Sequence, residues 1–256
     1  MKRFHAIFLV VMLAGCASRG GESASQQAAD HSHAIAKIQT ELAAAYYERG
    51  QYAIALQKIE SSMRAESNYA PAYSMRGLIH MALLEDKDAE EDFRHSLRLD
   101  KDNSETHNNY GWFLCQRGRE EEGIQQLLEA LKNPLYETPE TAWLNAGICS
   151  KKAGRFKEAD EYLQRALIMR PNMPRALFSL ADLSYANHDY ASAKLYFARF
   201  ERMQQKEQDL NAEQLFLGVK IEHKVGDRNA EASYALQMRK RFPDARETNL
   251  LSQIDR

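Results

Sequence analysis

Between Ser104 and Pro171, small and large apolar positions return twice in the same order, with polar residues and glycines between them. Tyr110-Gly111 is followed by Gly118, Leu127 and Ala130. Ala146-Gly147 is followed by Gly154, Ala159, Leu163, Ala166 and Pro171. The offset from Gly111 to Gly147 is 36 residues, which is the spacing of a repeated helix–turn–helix unit. The segments between the turns are rich in alanine, leucine, glutamate, lysine, arginine and glutamine, all strong helix formers. No stretch alternates Val, Ile or Thr around hairpin turns, so strands are not expected. The fold class predicted is all-α.

The unit resembles the tetratricopeptide (TPR) repeat, in which small residues allow two helices to cross closely and large ones fill the gap beside them. On that pattern the chain divides into about six repeats of a right-handed solenoid. They start near Ala36, Ala70, Ser104, Glu140, Pro174 and Asn211. Three departures stand out. The turn of the second repeat, Leu84-Glu85-Asp86, lacks a glycine. Gly123 stands where alanine is usual and weakens its helix by up to ~1 kcal/mol. The sixth repeat is degenerate and ends in Arg239-Lys240-Arg241, as suits a polar cap. Between repeats three and four, Pro134 and Pro139 interrupt the rhythm. That loop reads either as a spacer or as a contact loop presenting Tyr136.

The N-terminus reads as an address. Lys2-Arg3 precedes a short apolar core from Phe4 to Leu13, which leads into Leu13-Ala14-Gly15-Cys16. This resembles a bacterial lipobox. The resemblance implies cleavage before Cys16 and acylation of that cysteine. Several acyl chains at roughly 0.8 kcal/mol per buried methylene give a lasting anchor. Ala17 follows, and in Gram-negative lipoproteins this favours the outer membrane. The division is therefore 1–15 signal peptide, 16–33 lipidated end and flexible tether, and 34–256 solenoid. The tether is small and polar, and His31 and His33 within it read as solvated residues rather than metal ligands.

The remaining cysteines, Cys115 and Cys149, fall on the first helices of adjacent repeats. An even count in an oxidising compartment makes them a candidate disulfide. The alternative is two small buried hydrophobes. Removing Lys2 and Arg3 with the leader takes the formal charge from −2 to −4, which gives no reason to expect nucleic acid. No phosphate loop, GxSxG or HExxH occurs, and Glu120-Glu121-Glu122 suits a helix start. His80 and His107 stand at packing positions. An enzyme is not expected, and neither a cofactor, a metal nor a small-molecule substrate is implied.

In TPR units, positions 2, 5, 9, 12 and 13 face a groove. Here they include Tyr47, Ser74, Leu78, Met81, Asn108, Trp112, Gln116, Leu144, Ile148, Lys152, Phe178 and Tyr185. So apolar a row suits a protein segment with hydrophobic anchors. Asn108 alone does not complete the lysine–asparagine set that grips a C-terminal carboxylate.

The lipobox, the six repeats and the blocks YGWFLC and NPLY…TPETAWLNAGIC together resemble the type IV pilus biogenesis and stability lipoproteins of the PilW/PilF type. The resemblance covers nearly all of the mature chain. It implies an outer-membrane lipoprotein facing the periplasm. It also implies a pilotin role, in which the secretin subunit of the pilus is the partner and its localisation and multimer assembly are promoted. The other reading is a general TPR scaffold lipoprotein for envelope or cell-wall enzymes.

Overall fold

The computed structural model describes residues 20–204 and 210–254. Cys16 and the leader lie outside them. The described residues form thirteen α-helices, with a 3-10 turn at Leu251–Gln253 and no strand.

Twelve of the helices pair in sequence: α1 (Gly20–Glu48) with α2 (Tyr52–Ala65), α3 (Ala70–Ala82) with α4 (Asp86–Leu99), α5 (Ser104–Gln116) with α6 (Glu120–Ala130), α7 (Pro139–Lys152) with α8 (Phe156–Met169), α9 (Pro174–Ala186) with α10 (Tyr190–Gln204), and α11 (Ala212–Val225) with α12 (Arg228–Arg241). Each odd-numbered helix also touches the next odd-numbered one, so the six form a continuous row.

The pairs close where the sequence supplies small residues. Ala43, Ala55, Ala89, Ala159 and Ala193 are fully buried. At Gly147 an added Cβ would lie 2.6 Å from Leu163 Cγ, and at Gly77 it would lie 2.9 Å from the Phe93 ring. The turns need a left-handed residue to reverse the chain. Gly118 and Gly154 supply it at φ +75°. In repeats two and five the same position falls to Leu84 (φ 63°) and His188 (φ 62°). The missing glycine therefore changes the strain of the turn and not its path. Proline sits in the first turn of α3, α7 and α9, where its absent N–H leaves no bond unmade.

Three sequence expectations are corrected here. The tether is helical from Gly20 onward, as the solvent-exposed start of α1. Its alanines and glutamines propagate a helix already fixed by the packing of Ala36 and Ala43, and Gln26 donates to Asp30 at 2.8 Å one turn on. His33 is on that helix rather than in a linker: it meets Glu66 at 2.8 Å and the edge of the Tyr69 ring. Tyr136 does not present itself to solvent. Its hydroxyl donates to Glu105 at 3.1 Å, and burial, followed by the Glu105 charge, raises its pKa. Leu135 is the exposed tip, at 84%. The charged end of α12 is also not the last element. α13 (Arg246–Leu250) and the following turn bring Leu251 and Ile254 against Leu215, Val219 and Met238.

Candidate partner-binding groove

The row of odd-numbered helices is held together by polar side chains. Asn109 of α5 donates to Ser74 of α3 at 3.3 Å, and Asn145 of α7 donates to Asn108 of α5 at 3.0 Å. The Lys152 ammonium donates to the Cys115 carbonyl at 2.8 Å. These bonds account for a correction to the predicted groove. Ser74 and Asn108 are each only 4% exposed, because they bridge helices. Leu144, at 0%, belongs to the largest core cluster, beside Leu163 and Leu180.

The other predicted positions are half-buried or exposed. Tyr47, Leu78 and Met81 pack by one side on the cores of the first repeats and keep the other side accessible. Ile148, Phe178 and Tyr185 do the same on the core of repeats four to six. Trp112 stands between the two sets, with the Arg175 guanidinium 5.4 Å from its ring centroid. Gln116 is half-buried and Lys152 is exposed.

These residues border two clefts. One, of about 380 Å³, lies among α1, α3 and α5 and is lined by Tyr47, Met75 and Leu78, with Glu48 and Glu105 at its edge. The second, of about 330 Å³, lies among α7, α9 and α11. Its wall holds Ile148, Phe178, Lys151, Lys152, Arg175, Asp182 and Glu213. Sequence reading missed most of these charges. Arg175 and Asp182 do fall on positions 2 and 9 of the repeat that starts at Pro174, so counting along the pattern finds them. Glu213 and Lys220 do not fall on such positions, because the degenerate sixth repeat is out of register.

Cys115 and Cys149 are joined by a disulfide in the structure, with their Cα atoms 5.7 Å apart, inside the geometric range for such a bond. It links α5 to α7 beneath the groove. On the outer side, His80, Glu85 and Asp88 bring ligand atoms within 4.8 Å of one another. His80 is already engaged by Glu85 at 2.6 Å, and Asp92 beside it is held by Arg76 at 2.6 and 2.8 Å.

Paired helices stacked into one row with a groove along it define a helical-repeat binding protein rather than a catalytic pocket. A tetratricopeptide repeat family model matches residues 17–196, and the chain belongs to that family. Within it, the chain is homologous over most of its length to type IV pilus biogenesis proteins. It is 30% identical over 240 residues to the type IV pilus assembly protein PilF of Pseudomonas aeruginosa, covering 93% of each chain. It also resembles the crystal structure of PilW, described as a widely conserved type IV pilus biogenesis factor, at 34% identity and a TM-score of 0.77 over 85% of this chain and 98% of that one. A structure of Pseudomonas aeruginosa PilF matches at 28% identity and a TM-score of 0.78, over 88% and 98% of the two chains.

Proposed function

We propose that this protein is a lipid-anchored, periplasm-facing component of the outer membrane that acts as a pilotin for type IV pili. In this reading Cys16 carries the anchor, and the groove binds a segment of the secretin subunit. The observation that carries it is the row of partly exposed apolar side chains from Tyr47 through Leu78 and Trp112 to Ile148 and Phe178. The row occurs in a chain homologous to pilus assembly proteins over nearly its whole length.

A side chain packed on one side and open on the other is already ordered. A partner that covers it therefore gains buried apolar area at little entropic cost, at roughly 25 cal/mol per Å² before association costs. Tethering the groove to the membrane raises its effective concentration near nascent secretin, so modest affinity suffices.

The test compares secretin multimers in outer-membrane fractions with and without the protein. Their loss, with restoration by the wild-type chain, supports the reading. Trp112→Asp or Leu78→Asp should fail to restore multimers while the protein's own abundance is unchanged, and Cys16→Ala should fail through mislocalisation. Multimers that persist without the protein would sink the pilotin role and leave the general envelope scaffold.

A further inference from the structure

The two ends of the groove differ in charge. Glu48 and Glu105 border the cleft around Tyr47 and Leu78. Around the second cleft stand Lys151, Lys152 and Arg175. Lys220 joins them from α11, close enough that its charge adds to burial in lowering the basicity of Lys151. Two of these cations have aromatic rings for neighbours. Arg175 lies over Trp112, and Lys220 lies 4.8 Å from the Tyr185 centroid and 5.3 Å from that of Phe216. Neither forms an ion pair with a carboxylate of the described residues, and Asp182 is taken by Lys151. Burial lowers the basicity of both Arg175 and Lys220, with Glu213 a smaller, opposing influence on the latter.

Cations that bridge helices through ion pairs, such as Lys194 to Glu222 at 2.6 Å, have a structural use. Arg175 and Lys220 have none of that kind. They are partly desolvated and left without a counter-ion, an arrangement that an incoming carboxylate relieves.

We propose that this end of the groove docks an acidic segment of a protein partner, with Asp or Glu side chains answering Arg175 and Lys220 and an adjoining apolar side chain seated on Ile148 and Phe178. The inference rests on the groove-binding reading above and adds the chemistry of the segment and its direction. The acidic opposite end repels the same carboxylates, so the segment lies one way round. A protein segment fits better than a lipid headgroup because the cations continue a row of apolar anchors spread over several helices. A chain can follow such a row, and a single headgroup cannot.

The experiment uses the full-length protein in detergent. The probes are a blocked peptide of alternating aspartate and phenylalanine and its asparagine isostere, titrated by calorimetry and by Trp112 fluorescence. At low salt the acidic peptide should bind about tenfold or more tightly than the isostere, as expected for charge-assisted pairs. The preference should vanish at high salt and in the Arg175→Gln/Lys220→Gln double variant. Equal binding of the two peptides, no binding of the acidic one at millimolar concentration, or a preference that survives the double variant would each overturn the proposal. So would phosphatidylglycerol vesicles that bind through Arg175 and Lys220 and displace the peptide. A parallel capture of the secretin subunit separates this inference from the reading beneath it. Loss of capture with Leu78→Asp but not with Arg175→Glu/Lys220→Glu sinks the acidic-segment inference alone. Loss with both supports it, and loss with neither sinks the groove reading as well.

Discussion

A Cβ on Gly123 would meet the Gly111 carbonyl oxygen at 2.7 Å, and one on Gly111 would meet the Gly123 carbonyl oxygen at 2.8 Å. The two residues form the crossing of α5 and α6, and each is small because the other's backbone is close. From sequence, Gly123 is a local fault in a helix, because its partner is twelve residues away and the contact is tertiary. Alanine there returns up to ~1 kcal/mol of helix propensity. It also inserts a methyl against backbone that no rotamer can move, at a cost of ~1–3 kcal/mol. Gly123→Ala should therefore destabilise the protein on balance, seen as a lower urea midpoint with an unchanged slope. A gain in stability would mean that the crossing is looser than described.

Between elements, the carboxylates of α4 and α10 act in opposite directions. Burial alone would raise the Glu90 carboxyl. Hydrogen bonds from Arg119 and Tyr110 outweigh burial and hold it below the ordinary range. A lowered native pKa contributes stability that is present above the unfolded value and lost as pH falls through the native one. Glu90→Gln should thus destabilise at neutral pH, and the difference should close in acid. Burial raises Glu201, against the Tyr234 hydroxyl, which donates to it at 2.6 Å and lowers it. Its penalty appears as pH rises through the interval between the unfolded and native values. Glu201→Gln should stabilise at neutral pH and lose that advantage in acid. Denaturant melts at pH 4 and pH 7 on both variants test the two signs. The same sign for both would refute this assignment.

In the whole molecule, each repeat rests mainly on its neighbours, so stability is close to a sum of units and interfaces. The disulfide joins the third and fourth repeats, closing a sequence separation of 34 residues in the middle of the row. Such a closure stabilises by about 2–4 kcal/mol. Amide exchange should be slowest in α5 to α8 and fastest in the exposed start of α1 and in α13. Cys149→Ala should lower the protection of the middle helices most. Uniform loss along the chain would indicate one cooperative unit instead of a row.

The chain by itself determined the helical class, the repeat period and most repeat boundaries. Those follow from local pattern: small residues at fixed offsets, glycine or proline at turns, and helix-forming composition. It also supplied most of the groove positions, because the residues facing one side of a helix recur by number. Tertiary structure alone decided which of them are accessible. Leu144 sinks into the core, and Ser74 and Asn108 turn to polar partners on neighbouring helices. It alone set Arg175 over Trp112 and Lys220 over Tyr185, because each pair comes from different repeats. The polarity of the groove arises from contacts between residues far apart in the chain, which no local pattern records.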